Sequence, residues 1–249
     1  MVPCDPSTLA QLATCFSCVP VGAVQSLNSY LYCTIEATIT GKQPVFINSQ
    51  VNGVKSSSNT ITIPAFNATG GNYLLVAVTW RNPPALRSIT SFTANGVAMG
   101  QIDTVFSGDL NSRVALYGLL NPTSGNIVIN WDGNIVNGIA AAASLFNGVV
   151  SIGAPFDNFN LGNINLISVQ PTTLPTDLIV DCCSFSAQPG IVVVPAPGQN
   201  LIAFQDNSGN LQDVAMSTKV AGWGSTLMAW TASGAGEPMA QIGLALRGI

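Results

Sequence analysis

Histidine is absent from this 249-residue chain, and Asp, Glu, Lys and Arg together make up only 7% of it. The first absence removes the side chain that most often moves protons near neutral pH. The second means that the surface must be built from Asn, Ser, Thr, Gln and Gly, since ordinary soluble domains carry about 25% charged residues. Net charge is −4, which disfavours non-specific attraction to nucleic acid. No run of about 18 apolar residues occurs, so no membrane-spanning helix is expected. The opening Met1-Val2-Pro3-Cys4-Asp5-Pro6 has neither a basic stretch nor an apolar core, and no secretory signal is read in it. The acids are scattered, mostly in turns: Asp103, Asp109, Asp132, Asp157, Asp206, Asp213 and Glu237. No local pairing among them marks general acid–base chemistry. Gly222-Trp223-Gly224 does not follow the phosphate-loop template. These absences predict a non-enzymatic protein with no cofactor, no resident metal and no nucleic-acid or membrane partner. A neutral, hydrogen-bonding surface suits a protein fixed in an assembly, or one that touches sugars.

What is present is β-strand. Asn72–Trp80 is apolar in succession, rich in β-branched and aromatic residues, and closed by Gly70-Gly71 before and Asn82-Pro83-Pro84 after. It reads as a strand buried on both faces. Further strands are expected at Thr60–Ile63, Ile89–Ala94, Gly100–Phe106, Arg113–Leu119, Asn126–Asn130, Gly138–Phe146, Leu178–Ser186, Leu201–Asp206, Asp213–Val220, Thr226–Thr231 and Gln241–Arg247. Turn residues separate them, among them Asn95-Gly96, Asp132-Gly133-Asn134 and Asn207-Ser208-Gly209-Asn210. Many short strands with such punctuation predict an antiparallel β-sandwich or jelly roll. Small residues at Ala140–Ala143 suggest tight sheet packing, or a second covered face at a subunit contact or beneath a loop.

The first forty residues differ. Leu9, Leu12, Ala13 and Phe16 share one helical face, Val19-Pro20-Val21-Gly22 breaks it, and Val24, Leu27, Leu31 and Ile35 form a second stripe. The expected product is a small αα-hairpin. It holds four of the six cysteines, Cys4, Cys15, Cys18 and Cys33. Cys15 and Cys18 have zinc-ligand spacing. In an antiparallel hairpin, however, the Cys4/Cys33 end and the Cys15/Cys18 end stand roughly 15–20 Å apart, too far for one tetrahedral site. A Cys4–Cys33 disulfide is favoured, with Cys15 and Cys18 bridged or free; free buried thiols are the alternative. The expected organisation is a hairpin over 1–40 that anchors the chain, a linker over 41–58 with room for one short strand in Gln43–Val51, and a sandwich over 59–249.

Two resemblances follow from these residues. Leu9–Gly22, with its Cys15-Phe16-x-Cys18-x-Pro20 core and the later Tyr30-Leu31-Tyr32-Cys33, resembles a Cys-rich module of tailed-phage and prophage structural proteins. The resemblance implies attachment within a virion and carries no catalytic residues. Tyr73–Trp80, Ile89–Met99, Val114–Leu119, Ala142–Gly148 and Met239–Arg247 together resemble a jelly-roll module repeated in bacterial surface proteins and phage fibres. That likeness implies fold more than function. A protein made in a cytoplasm and released by lysis fits the virion. The expected role is therefore a non-enzymatic virion structural protein of the capsid-decoration, collar or fibre type. Its expected partners are other virion proteins and copies of itself, a trimer being what the phage resemblance implies. A carbohydrate-binding or adhesin module, taking a host-surface glycan, is the alternative.

Three smaller candidates remain. Trp223, flanked by Gly222 and Gly224, is the best candidate for an exposed sugar-stacking ring among Trp80, Trp131, Trp223, Trp230, Tyr73 and Tyr117. Asp206–Asn210 with Asp213 resembles a calcium loop but has no closing bidentate Glu, so a capped hairpin turn is favoured. Cys182 and Cys183, adjacent in a strand, should point to opposite faces as two separate buried thiols.

Overall fold

The structure, a computed structural model, describes residues 42–55, 57–82, 87–108, 112–160, 165–187, 192–207, 211–233 and 238–248. The chain divides into two units, Met1–Gly41 and Lys42–Ile249. The expected hairpin over 1–40, with Cys4, Cys15, Cys18 and Cys33, lies outside the described residues.

The second unit is all β, with several antiparallel sheets. Its first part contains β1 (Val45–Val54), β2 (Ser58–Phe66), β3 (Tyr73–Arg81), β4 (Ile89–Ala94), β5 (Val97–Ala98), β6 (Gly100–Phe106), β7 (Ser112–Leu120), β8 (Gly125–Ile135) and β9 (Ile139–Asn147). One sheet runs β1-β9-β3-β7-β6, the other β2-β8-β4-β5. Asn95 and Gly96 both take positive φ, as the tight turn between β4 and β5 requires. The second part contains β10 (Ser151–Ile152), β11 (Phe156–Phe159), β12 (Leu166–Val169), β13 (Thr172–Thr173), β14 (Leu178–Ala187), β15 (Val193–Pro195), β16 (Asn200–Gln205), β17 (Leu211–Val220), β18 (Gly224–Ser225), β19 (Met228–Ala232) and β20 (Met239–Arg247). Its large sheet runs β10-β20-β14-β17-β16 with β11 also on β20; the small one runs β12-β19-β15, beside the ladder β13-β18.

The two parts repeat one plan. β1, β9, β3, β7 and β6 find their counterparts in β10/β11, β20, β14, β17 and β16, in the same order. β2-β8-β4 answers to β12-β19-β15. Even an irregularity recurs: the β6–β7 ladder shifts register between Gln101 and Asp103 opposite Tyr117 and Leu116, and the β16–β17 ladder between Leu201 and Ala203 opposite Ser217 and Met216. The single sandwich expected over 59–249 is thus a pair of sandwiches.

Apolar cores between the sheets show four layers. Ile61, Ile63, Phe92, Ile127 and Ile129 meet Leu74, Val76, Val78 and Trp80 beneath the first small sheet. Leu75, Ala77, Leu116, Ala140 and Ala142 meet Val180, Cys182, Met216, Ile242 and Leu244 between the two large sheets. Ile167, Trp230 and Val169 cover Phe185, Cys183, Ile179 and Met239 on the far side. The middle contact is two-fold in character: β1 lies against β16 while β6 lies against β11, and β9 against β17 while β20 lies against β7. This is why β3, β9, β14 and β20 carry no polar alternation. Each is covered on both faces, and the second cover is another sheet of the same chain, not a subunit contact or a loop.

The segment expected as a linker over 41–58 holds the strand for which Gln43–Val51 left room, longer than expected. Val45–Val54 pairs with β9 along its length and forms an edge of the first large sheet. Its polar residues, which read as a connector, serve a seam. Asn48 Nδ2, Gln50 Nε2 and Asn52 Nδ2 donate to the carbonyls of Asn67, Pro64 and Thr62 at 3.0, 2.7 and 2.6 Å. Alternate residues of one strand thereby cap the open edge of the opposite sheet, which would otherwise offer unpaired carbonyls to another chain. The second part repeats this: Asn158 Nδ2 donates to Ser168 O at 2.8 Å. Replacing Asn48, Gln50 and Asn52 together by Ala should lower unfolding free energy by about 1–3 kcal/mol and produce concentration-dependent self-association. Denaturant titration and sedimentation velocity check both; an unchanged monomer would show that the seam protects nothing.

Every strand expected from Thr60 onward overlaps an observed one. Among the described residues no helix is long and apolar enough to cross a membrane.

Candidate functional site

Trp223 occupies the turn between β17 and β18 and is 51% exposed. Its mount is rigid. Gly224 takes φ +83°, a conformation glycine adopts without strain. Thr173 Oγ1 donates to Gly222 O at 2.6 Å, and Gly222 N donates to Thr226 Oγ1 at 3.0 Å. The two hydroxyls are 3.1 Å apart. The Thr173 proton is already given to Gly222, so Thr226 donates to Thr173, and both buried hydroxyls are satisfied. Leu174, also exposed, follows Thr173 and stands opposite Trp223 when the β13–β18 register is continued. The other aromatic candidates are structural. Trp80, Trp131, Trp230 and Tyr117 are buried and Tyr73 is half-buried. Trp80 and Trp131 pack edge to face at 5.8 Å.

Asp206 is exposed, and the other scattered acids divide into three groups. Asp109 and Glu237 lie outside the described residues. Asp132 accepts from Ser88 N at 3.2 Å, closing a turn. Asp213, nearly fully buried, accepts from Asn207 N at 2.6 Å, and burial pushes its carboxyl up to about 7. Asn207 Nδ2 donates to Ile139 O and Gln212 O at 2.8 and 3.0 Å. Asn207 and Asp213 thus serve as turn caps; Ser208, Gly209 and Asn210 lie outside the described residues. Among the described residues, no three His, Cys, Asp or Glu side chains gather as a metal site would require.

Asp103 and Asp157 are brought together from distant sequence. They lie on edge strands β6 and β11, which face each other. Burial raises the Asp103 pKa, and the charge of Asp157 raises it further against the hydrogen bond from Thr104 N. Beside them Thr104, Val105, Phe106, Ser107, Asp157 and Phe159 line a cleft of about 280 Å³. The Arg113 guanidinium covers the Phe106 ring at 3.9 Å from its centroid.

Asp181 is the polar residue that sequence reasoning missed. It sits in β14 with no solvent exposure. Its Oδ1 accepts from Ser217 N at 3.2 Å and Ser217 Oγ at 2.5 Å; its Oδ2 accepts from Trp230 Nε1 and Gln241 Nε2, both at 2.7 Å. Gln199 Nε2 donates to Ser217 Oγ at 2.8 Å, which leaves the Ser217 proton for Asp181. Burial outweighs these donors and raises the carboxyl to about 6. The available signal was a lone acid in an otherwise apolar strand, Leu178-Ile179-Val180-Asp181-Cys182. Cys182 and Cys183 are free and fully buried, one in the middle core and one in the far core. Burial pushes both thiols up, which makes them poor nucleophiles.

Compared with protein-family models, curated proteins and solved structures, the chain matches none.

Proposed function

We propose that the protein is a non-enzymatic structural component of a tailed-phage particle. Its N-terminal Cys-rich segment would fix it to the particle, and tandem jelly rolls would be displayed from it. The observation that carries this reading is the doubled body. With β5 and β6 taken as one strand that changes sheets, the first part orders its eight strands 1-8-3-6 against 2-7-4-5, as a jelly roll does. The second part repeats that order except for its fifth strand, which stays wholly in the large sheet. Face-to-face burial of both large sheets makes a stiff block whose outer surface is rich in hydroxyls and amides, such as Thr60, Thr62, Thr90, Ser91, Asn126 and Asn130. Such a block suits permanent display. Buried polar groups such as Asp181 serve packing, and the reading assigns them no chemistry.

Mass spectrometry of particles purified from a lysate expressing the gene should find the chain at a fixed copy number per particle. Cryo-electron microscopy should place residues 4–35 against a shell, neck or tail protein, most simply as a trimer. A particle proteome without this chain ends the proposal. A carbohydrate-binding or adhesin role is the second reading, favoured by the exposure of Trp223 on a hydrogen-bonded turn.

A further inference from the structure

The duplication gives an internal control for function, because it creates two equivalent seams between the large sheets. One lies where β1 meets β16, the other where β11 meets β6. Equivalent positions follow from the registers. Asn52 and Asn158 make the same seam hydrogen bond, each to a carbonyl ten residues on, so Gly53 answers to Phe159. Val105 and Gln205 pair with Val114 and Val214, so Ser107 answers to Asn207 two residues further. Both members of the second pair are tied to equivalent carbonyls: Ser107 Oγ donates to Ser112 O, and Asn207 Nδ2 to Gln212 O.

The two seams have diverged in opposite directions. At the β1–β16 seam the glycine makes room and the amide fills it. A Cβ on Gly53 would lie 1.9 Å from Asn207 Oδ1 and 2.9 Å from Gln205 Nε2. Ser49 Oγ also donates to Ile202 O at 2.5 Å across the same junction. This seam is closed. At the β11–β6 seam Gly108 N donates to Asn160 O at 3.0 Å, but the small residue is Ser107, the glycine is replaced by Phe159, and a cleft of about 280 Å³ opens beside that bond. Phe159 is 52% exposed, although burial of a Phe ring is worth about 2 kcal/mol or more.

We propose that this open seam is a binding site for a neutral sugar residue of a glycan chain. Its volume falls just below the usual ligand-pocket range of about 300–1,000 Å³, which suits one ring better than an extended ligand. Phe159 presents an apolar ring to the C–H face of a pyranose, with Phe106 on the β6 side. The Asp157 carboxylate at the rim accepts from vicinal hydroxyls, and charge-assisted acceptance is the strong form of that bond. Charges of both signs stand nearby, Asp157 in the lining and Arg113 stacked on Phe106, so the pull of each on a charged sugar is offset by the other and a neutral ring is favoured. The site does not rest on the assembly role proposed above.

The full-length chain should be applied to an array of neutral, amino and acidic oligosaccharides, and hits titrated by calorimetry. Neutral oligosaccharides should bind. Phe159→Ala and Asp157→Asn should each weaken binding tenfold or more, with thermal midpoints unchanged because both side chains are exposed. Binding of no oligosaccharide would overturn the proposal. So would preference for amino or acidic sugars, or neutral-sugar binding that survives both substitutions.

Discussion

Unfolding free energy should fall, not rise, as pH is raised from about 4 to 7. Asp181 has a folded-state pKa of about 6, raised from the ordinary 3.8 by complete burial. Between those values the folded state holds a proton that the unfolded state has released. Raising the pH therefore removes stability, which is fully present below about pH 4 and lost by the time the pH passes 6. A two-unit shift corresponds to about 3 kcal/mol. Asp213, pushed up to about 7, extends the decline, and Asp103 is shifted in the same direction. Among the described residues no other charge contributes to the Asp181 shift, which is set by burial against hydrogen bonds from Ser217, Trp230 and Gln241. Urea unfolding at pH 4.5 and 7.5 should show wild type more stable at the lower pH. Asp181→Asn should remove about 3 kcal/mol of that difference while leaving the Asp213 part. A stability that is flat or rises across the window, or an undiminished drop in the variant, would count against the assignment.

Trp230→Ala should be among the most damaging single substitutions. The ring is fully buried, in a core with Ile167, Cys183, Phe185, Ala215 and Met239. Removing it should cost about 3–5 kcal/mol through lost burial and the cavity left behind. A further ~1–3 kcal/mol follows because Asp181 loses its indole donor in a site water does not reach. Trp230→Phe separates the two contributions. It keeps most of the volume, loses the N–H, and should push the Asp181 pKa higher, moving the pH window upward. Trp223→Ala, at an exposed turn, should fall within about 0.5 kcal/mol of wild type. Denaturant titration of the three variants ranks them directly. Equal costs for Trp223→Ala and Trp230→Ala would contradict the burial difference.

Strand positions were legible because β-branched runs and Gly, Asn and Pro punctuation are local signals. Asn72–Trp80 needed only its own composition to be read as doubly buried, and Asn95-Gly96 only its dipeptide to be read as a turn. The polar run in Val45–Val54 misled for the converse reason. Asn48, Gln50 and Asn52 look like linker residues until the sheet that they cap is in place. The duplication left little more than Val114-Ala115-Leu116 against Val214-Ala215-Met216, and Ala140 against Ala240. Buried apolar residues exchange for one another at small cost when volume is kept. Pairing and pattern therefore persist where identity does not.

The amino-acid sequence by itself determined the β class, most of the strands, the opposed burial of Cys182 and Cys183, and the exposure of Trp223. Each depends on a residue and its near neighbours. Tertiary structure alone decided that one sandwich is two, that Asp181 has four donors, and that Asp103 meets Asp157. It also decided that one seam is filled by Asn207 while its twin stands open at Phe159. These depend on residues that lie far apart in the chain and meet only when the two large sheets close on each other, a step driven by non-directional apolar burial that no short stretch of sequence encodes.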